Sequence, residues 1–443
     1  MNRYDLAREA ILYSLPLYET ARMQAASSPR KNPQGQFADP QGGPESTRRW
    51  ANVFSHTRQL LNAKDRRVVT PNNDTLYTST WIDLSDGPLL LHTPDTGERY
   101  YVLGLLDFYT NPFAHLGTRL NGNATHTFFL HGPDWQGTPP AGTLPIECAT
   151  PTVWLIGRIL ALPHEDMSPV HALQDAFRLT TLQGEPAARI VTCGLQGQDQ
   201  LGDAATFVEV VNRQLAINPP PPDETNDLAR FSALGIGAGL DKAQADLPLL
   251  QQTLSEILSE LDAPASSDLD GGWNASVEVT DHYGRDWFTR ARVARCYIGL
   301  LGTQEVIYQM AHRDNHAQPL DGRHRYRLRF APGGLPQVDA FWSLSLYSKS
   351  DYMFVDNPLQ RHAIGDRTPG LCTDPDGGLT IWLGHTPPPQ TSNWLPAPAE
   401  PFYVAIRLYL PRAVHQEGLY VYPDIELMDD NAQFSGLTAT PAP

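Results

Sequence analysis

Two blocks of short apolar runs, each bounded by turn clusters, constrain the fold of this chain more than any other feature. In the first block, residues 68–158, runs at 89–91 and 100–106 are separated by clusters such as Ser-Asp-Gly at 85–87. The second block follows the turn signal Asp321-Gly322. Runs of this length with regular turn residues are typical of a β-sandwich or jelly roll. The chain is therefore predicted to be mainly β.

Helical spacing of apolar residues occurs outside these blocks. It covers roughly the first 25 residues and the segments 240–261 and 287–310. A polar stretch with Gly and Pro at 28–46 predicts a surface loop. The predicted fold class is mainly β with helical segments, an α+β multidomain chain in which two jelly-roll-like β-sandwich domains are joined by a helical layer.

The length of 443 residues is too great for one ordinary core, so at least two domains are expected. The pattern predicts an N-terminal helical segment and loop at 1–66 and an N-terminal β-sandwich domain at 67–200. A helical connector at 201–318 and a C-terminal β-sandwich domain at 319–443 complete the prediction.

Composition excludes several partners and cofactors. The formal charge of −16 argues against nucleic acid and anionic membranes. No run reaches 18 apolar residues, and the start of the chain lacks the pattern of a secretion signal, so a cytoplasmic location is expected. The four cysteines are far apart, which favours reduced thiols over disulfides or a zinc site. The Gly-rich segment 235–239 follows no predicted strand, so a nucleotide-binding loop is not expected.

Several uncommon strings make the chain similar to known families. The first half resembles the bacterial domain-of-unknown-function family 1254 through residues 70–77 (Thr-Pro-Asn-Asn-Asp-Thr-Leu-Tyr), 95–97, 99–101, 109–111 and 117–119. The second half resembles its companion, family 1214, through residues 340–344, 357–359, 364–367, 393–398 and 407–409. The resemblance implies a pair of jelly-roll-like β domains with helical additions and a hydrolase-like activity.

The densest polar group in the sequence is Asn72, Asn73 and Asp74, ahead of a predicted strand that contains Tyr77. Amide and carboxylate groups concentrated in a turn can bind a hydroxylated ligand or a cation. Alternatively, they bond to their own backbone in an Asx turn. Tyr77 would line the same pocket or fill a core.

A second candidate site follows the run at 101–106. Asp107, Tyr109 and Asn111 would project from one face of an extended chain and form the floor of a binding site, or a solvated sheet face. Arg119 and Arg158 could bind a carboxylate ligand through two parallel hydrogen bonds, or pair with a nearby Asp.

Aromatic and histidine side chains offer weaker signals. Trp342, Tyr347 and Trp394 could stack on a sugar ring or planar ligand, although large aromatics in β-sandwiches usually belong to the core. His312 and His316 have the spacing of a shared helix face, but lack the Glu of a zincin motif. Exposed histidines at a helix end are the simpler interpretation, so the metal requirement stays unknown and a divalent cation is unsupported.

These observations together predict an enzyme-like protein that binds a small-molecule ligand in a cleft between two β domains. If it is a hydrolase, Asp74 or Asp107 would act as general base, and Asn73 with Arg119 would stabilise developing negative charge. The competing hypothesis is a noncatalytic carbohydrate-binding or assembly protein. The sequence leaves the substrate and any homo-oligomer open.

Overall fold

The predicted runs form strands in both halves of the chain, in a computed structural model that describes residues 2–66, 69–196, 201–263, 272–274, 283–428 and 440–441. Its α-helices are α1 (Arg3–Ser27), α2 (Thr118–Asn121), α3 (Ser168–Ala176), α4 (Ala204–Ile217), α5 (Thr225–Phe231), α6 (Leu247–Asp262), α7 (Trp287–Cys296) and α8 (Ala413–Gln416). Short 3-10 helices occupy Pro222–Glu224, Ser232–Leu234 and Lys242–Gln244.

The strands of the first half are β1 (Arg48–Ala51), β2 (Ser55–His56), β3 (Thr75–Asp83), β4 (Leu89–Thr93), β5 (Tyr101–Leu106), β6 (Pro112–Gly117), β7 (His126–His131), β8 (Leu144–Glu147), β9 (Thr152–Leu160), β10 (Arg178–Thr180) and β11 (Arg189–Thr192). Those of the second half are β12 (Trp273–Asn274), β13 (Val306–Ala311), β14 (Arg325–Phe330), β15 (Val338–Ser348), β16 (Ala363–Gly365), β17 (Cys372–Thr373), β18 (Leu379–Gly384), β19 (Trp394–Pro396), β20 (Phe402–Pro411), β21 (Ile425–Met428) and β22 (Thr440–Pro441).

The N domain consists of two sheets packed face to face. Its inner N sheet has the order β2-β3-β9-β5-β6, and its outer N sheet has the order β10-β4-β7-β8. Alternate residues of the inner sheet, such as Leu103 and Leu155, meet Leu91 and Phe128 of the outer sheet in one core. This alternation is what a sheet with different surroundings on its two faces requires.

The C domain repeats this arrangement. Its inner C sheet has the order β12-β13-β20-β15-β16, and its outer C sheet has the order β19-β18-β14-β21. Leu344 and Ile406 of the inner sheet pack against Leu328 and Ile381 of the outer sheet. The prediction of a mainly β chain with two β-rich domains and helical segments is confirmed.

A helical layer covers part of the inner N sheet. Helices α1, α4, α5, α6 and α7 form one core with Trp81 and Trp154. These two indoles project from the face of the inner N sheet that is turned away from the outer N sheet. The predicted N-terminal helix is confirmed as α1, whose first turn is capped by the Asn2 side chain accepting from the Asp5 N–H. No helix within the described ranges combines the length and apolar character needed to cross a membrane.

The prediction of one helix over 287–310 is wrong in its second half. Helix α7 ends at Cys296, and residues 306–311 form β13, which pairs with β20. Gly299 has a φ of 86°, a left-handed conformation that interrupts a helix, and the β-branched pair Val306 and Ile307 favours a strand. The inner C sheet therefore begins within the segment predicted as connector.

The remaining faces of the two inner sheets meet each other. Tyr100 and Val102 from the N domain pack with Phe341 and Tyr409 from the C domain in one small apolar cluster. The face of the inner N sheet opposite its core is thus shared between the helical layer at one end and the C domain at the other. The junction of these three parts is where the candidate site lies.

Replacing Gly117 should destabilise the N domain, because β5 leaves no room for a side chain there. A Cβ atom at Gly117 would lie 2.4 Å from the Tyr101 carbonyl oxygen, and the residue has a φ of 136°. We expect Gly117→Ala to lower the free energy of unfolding by about 2–4 kcal/mol in chemical denaturation. Gly87→Ala is the matched control, because Gly87 has a φ of 122° and open space around it. Equal losses in the two variants would contradict this explanation.

Candidate functional site

A cavity of about 1020 Å³ lies where the inner N sheet, the inner C sheet and the helical layer meet. Alternation along each strand determines which side chains reach it, because every second residue faces the junction. The inner N sheet contributes Tyr77, Trp154, Ile156 and Arg158, the inner C sheet contributes Tyr308, Met310, Tyr403 and Arg407, and the helical side contributes Met23, Leu261, Arg292, Arg295, Ile298 and Leu300.

Arg158 brings a buried charge to the wall of this cavity. It lies on β9 and is only 5% exposed. Its Nη2 donates to the Gly299 carbonyl at 3.3 Å, while Nε and Nη1 have no hydrogen-bond partner among the described residues. Tyr77 is its cross-strand neighbour on β3, and the guanidinium lies 5.6 Å from the centre of that ring.

Arg407 occupies the equivalent position in the C domain. It lies on β20, is 3% exposed, and is opposite Tyr308 on β13, whose ring centre is 5.9 Å from the guanidinium. Its Nη1 donates to the Ser345 hydroxyl at 3.0 Å and its Nη2 to the Thr70 carbonyl at 2.9 Å. Its Nε has no partner among the described residues. Each domain thus presents one Tyr-Arg pair to the same cavity.

Within the described chain, no carboxylate lies within ion-pair distance of either guanidinium, although Asp74 acts on Arg407 and Glu305 on Arg158 from farther away. Burial of a charge without a paired partner is costly. The cavity lining as a whole also carries net positive charge, although the complete chain has a formal charge of −16. Its cationic side chains are Arg158, Arg292, Arg295, Arg313, Lys349 and Arg407, and its carboxylates are Asp65 and Asp262.

The phenol of Tyr308 remains a hydrogen-bond donor at neutral pH. Burial raises its pKa, and the Arg158 and Arg407 guanidiniums offset only part of that effect. A protonated phenol between two guanidiniums adds a neutral donor to two cationic ones. This combination can hold the oxygens of an anion, and the planar fork of arginine suits a carboxylate in particular.

The predicted polar turn connects the two domains. Asn72 Oδ1 accepts from the Asp74 N–H at 2.6 Å, which is the Asx turn that the sequence allows, and Asn72 Nδ2 donates to the Tyr409 hydroxyl at 2.6 Å. Asp74 accepts from the Ser343 hydroxyl at 2.5 Å. Asn73 is buried, and its Oδ1 has no partner in the described chain. Asn72 lines the cavity, whereas Asp74 faces the C domain.

Asp107 lies at the opposite end of the inner N sheet. On β9, the partner of Thr75 is Leu160 and the partner of Leu106 is Trp154, so the ends that carry Asp74 and Asp107 are about 20 Å apart. Asp107 accepts three hydrogen bonds, from the Tyr109 N–H at 2.8 Å, the Asn111 N–H at 2.9 Å and the Asn111 side chain at 2.7 Å. Burial raises its pKa.

Asp107, Tyr109 and Asn111 therefore pack under the helical layer, where the Tyr109 hydroxyl donates to the Asn218 carbonyl at 3.0 Å. The structure does not bring them together with Asp74. The two candidate polar groups around Asp74 and Asp107 therefore do not share one site.

Arg119 is paired elsewhere as well. Its Nε donates to Glu305 at 2.6 Å, and the Tyr100 hydroxyl donates to the same carboxylate at 2.9 Å. Burial raises the pKa of Glu305, although Arg119 and Tyr100 offset part of this effect. Arg119 thus compensates a buried carboxylate rather than meeting Asn73 beside a ligand.

The predicted aromatic platform is part of the protein interior. Trp342 and Trp394 are 2% and 4% exposed, and the Trp394 indole N–H donates to the Gly384 carbonyl at 2.9 Å. The Tyr347 hydroxyl donates to the Pro71 carbonyl at 2.6 Å across the domain junction. All three stabilise the fold in these positions and none lines the cavity.

Sequence reasoning identified Arg158, Tyr77 and Asn72 but missed Arg407 and Tyr308 as cavity residues. A signal for Arg407 was present, because a lone Arg within the apolar strand Phe402–Pro411 requires partners. The histidines of the metal hypothesis follow a strand rather than a helix, and His312 stacks on Tyr403 at 5.0 Å. No group suited to holding a metal ion occurs in the part of the chain that the structure describes.

Two family models match the chain, one in each β domain. The model described as protein of unknown function (DUF1254) matches residues 51–181, and the model described as protein of unknown function (DUF1214) matches residues 305–413. Arg158 lies in the first matched region and Arg407 in the second. None of the curated proteins matches this chain.

The chain is similar to solved structures, among them the following two. The crystal structure of the VPA0106 protein from Vibrio parahaemolyticus has a TM-score of 0.72 and 26% sequence identity, covering 97% of this chain and 100% of that chain. A putative uncharacterized protein from Burkholderia cenocepacia has a TM-score of 0.42 and 13% identity, covering 95% of this chain and 88% of that one. The first comparison shows that the whole two-domain arrangement occurs in a second protein.

The burial of His115 leads us to expect that the protein loses stability in acid. Its Nε2 accepts from the Gly302 N–H at 3.2 Å, and burial, together with Arg119 and Arg158, lowers its pKa from 6.5 to about 4. Because the unfolded chain binds this proton more readily, the stability is complete above about pH 6.5 and is lost as the pH falls towards 4.

We expect the free energy of unfolding to fall by about 2–3 kcal/mol more in the wild type than in His115→Gln between pH 7 and pH 4. Gln retains an acceptor for the Gly302 N–H but does not titrate. Denaturant titrations at a series of pH values measure the difference, and parallel curves for the two proteins would contradict the prediction.

Proposed function

We propose that this chain, which belongs to the family of proteins that carry a DUF1254 and a DUF1214 domain, binds a small organic anion in the cavity between its two β domains. The observation that carries the proposal is the pair of buried guanidiniums, Arg158 and Arg407, which line one cavity and have no ion-pair partner in the described chain. An anion there would compensate both charges.

A carboxylate fits the available donors best. The planar guanidinium of Arg158 has unpartnered nitrogens at Nε and Nη1, each able to donate to a carboxylate oxygen once such a ligand reaches it, while Arg407 Nε is a further unpartnered donor in the opposite domain. The phenols of Tyr77 and Tyr308 lie beside these guanidiniums. Few convergent polar groups in a mainly apolar cavity are typical of a small-molecule site.

This proposal keeps the binding part of the sequence prediction. Hydrolysis by the predicted residues has less support, because Asp74 and Asp107 lie at opposite sheet ends and Arg119 is paired with Glu305. Carbohydrate binding by stacking also has less support, because Trp342 and Trp394 are buried in the C domain.

Replacing Arg158 should abolish most anion binding. We expect wild type to be stabilised by organic carboxylates in thermal-shift assays, and Arg158→Gln to lose about 10- to 100-fold in affinity by isothermal titration calorimetry. Arg158→Lys should recover only part of the affinity, since it restores the charge without the fork.

Arg290→Gln is the matched control for removing a buried arginine. Arg290 is 1% exposed, pairs with Glu224 at 3.3 Å in the helical layer and does not line the cavity. This variant should be less stable yet bind carboxylates like wild type. If Arg158→Gln binds as tightly as wild type, or if wild type binds no carboxylate, the proposal is wrong.

A further inference from the structure

We infer that the ligand is an amphiphile, a monocarboxylate whose apolar tail lies along β9 towards the helical layer. This inference rests on the proposed anion site and adds the chemical class of the molecule that occupies it. It follows from the composition of the cavity wall, from the cover over that wall, and from the size of the space.

The wall formed by β9 changes from charged to apolar along its length. Arg158, Ile156 and Trp154 alternate with core residues and all line the cavity. Four residues of strand separate Trp154 from Arg158, so their Cα atoms are roughly 13 Å apart. The Trp154 N–H donates to the Ser79 hydroxyl at 2.9 Å, so the polar atom of the indole is already satisfied. The end of this wall at Trp154, away from Arg158, is therefore apolar.

The cover opposite this end combines apolar side chains with the paired charges of Arg295 and Asp262, whose side chains are 3.1 Å apart. Met23 of α1, Leu261 of α6 and Ile298 in the loop after α7 line the cavity here. The loop lies directly on the indole, because a Cβ atom at Gly299 would be 2.9 Å from Trp154 Cη2. The same Gly299 provides the carbonyl that Arg158 contacts. One loop thus connects the charged and the apolar ends of the cavity.

The size of the cavity is the third argument. At about 1020 Å³ it is at the upper end of the range of pockets that enclose drug-sized ligands. A small carboxylate such as acetate would occupy only the surroundings of the two guanidiniums. An apolar tail would fill the remaining space and gain about threefold to fourfold in affinity for each buried methylene group.

A second anionic group would require cations at another position, and the other cations of the lining are less available than Arg158 and Arg407. Arg295 pairs with Glu19 and Asp262, while Arg292 and Arg313 donate to the carbonyls of Ala263 and Ala317. Lys349 lies near the other end of the inner C sheet, with its Nζ 3.3 Å from His312 Nδ1 and 5.7 Å from the ring centre of Tyr403. Lys349 is exposed, so water can hydrate its charge. The buried pair Arg158 and Arg407 therefore favours a single anionic head.

The test is a homologous series of butyrate, hexanoate, octanoate and decanoate, each titrated into the whole protein by calorimetry below its micelle concentration. For wild type, we expect the dissociation constant to fall by about threefold to fourfold per methylene until the tail fills the apolar end. Decanol, which has the tail without the charge, should bind at least tenfold more weakly than decanoate.

Two variants separate the head from the tail. Arg158→Gln should weaken all four acids by a similar factor and leave the dependence on chain length unchanged. Ile156→Thr places a hydroxyl in the middle of the apolar wall, so it should weaken decanoate about tenfold or more and leave butyrate nearly unchanged. Circular dichroism and thermal unfolding establish that each variant is folded.

The outcomes distinguish this inference from the proposal on which it rests. If butyrate and decanoate bind equally well, or if a dicarboxylate binds more tightly than the monocarboxylate of the same length, the inference of an amphiphilic ligand is wrong. The proposed anion site is unaffected by either result. If none of the acids binds wild type, both are wrong. A slope with chain length that Ile156→Thr abolishes supports the inference.

Discussion

The arrangement of this protein depends on two buried positive charges at the junction of its β domains. A guanidinium on a central strand cannot be left among apolar side chains, because loss of hydration without compensation is costly. Arg407 is held by the carbonyl of Thr70 from the other domain and by Ser345 of its own, and Arg158 by the carbonyl of Gly299. Both residues line the cavity between the domains.

The polar contacts around the cavity explain why the two domains hold one arrangement. Asn72 bonds to Tyr409, Asp74 to Ser343, and the carbonyl of Pro71 accepts from Tyr347. Each contact joins the turn before β3 to the inner C sheet. This turn has the structural role that its Asx chemistry suggests, and it also places Asn72 at the cavity. The Asx turn and the pocket-lining position, which were alternatives in the sequence, therefore both occur in this turn.

Local pattern was sufficient to predict the β blocks and the N-terminal helix, and it named Arg158 as a candidate ligand-binding residue. It was insufficient for the site, because the partner of Arg158 in the cavity is Arg407, which lies on another domain and 249 positions later in the chain. The polar residues Asp107 and Asn111 misled the prediction, since an Asp that caps its own turn has the same local sequence as one that faces a ligand. Strand register, which one sequence does not specify, separates these cases.

The central claim is that a carboxylate binds between the two domains with its tail towards the helical layer. A crystal structure with 10-bromodecanoate, using the anomalous signal of bromine, tests it most directly. We expect carboxylate oxygens within hydrogen-bond distance of Arg158 and a bromine peak beside Trp154. A bromine peak beside Lys349 and His312, or a carboxylate that contacts neither Arg158 nor Arg407, would contradict it.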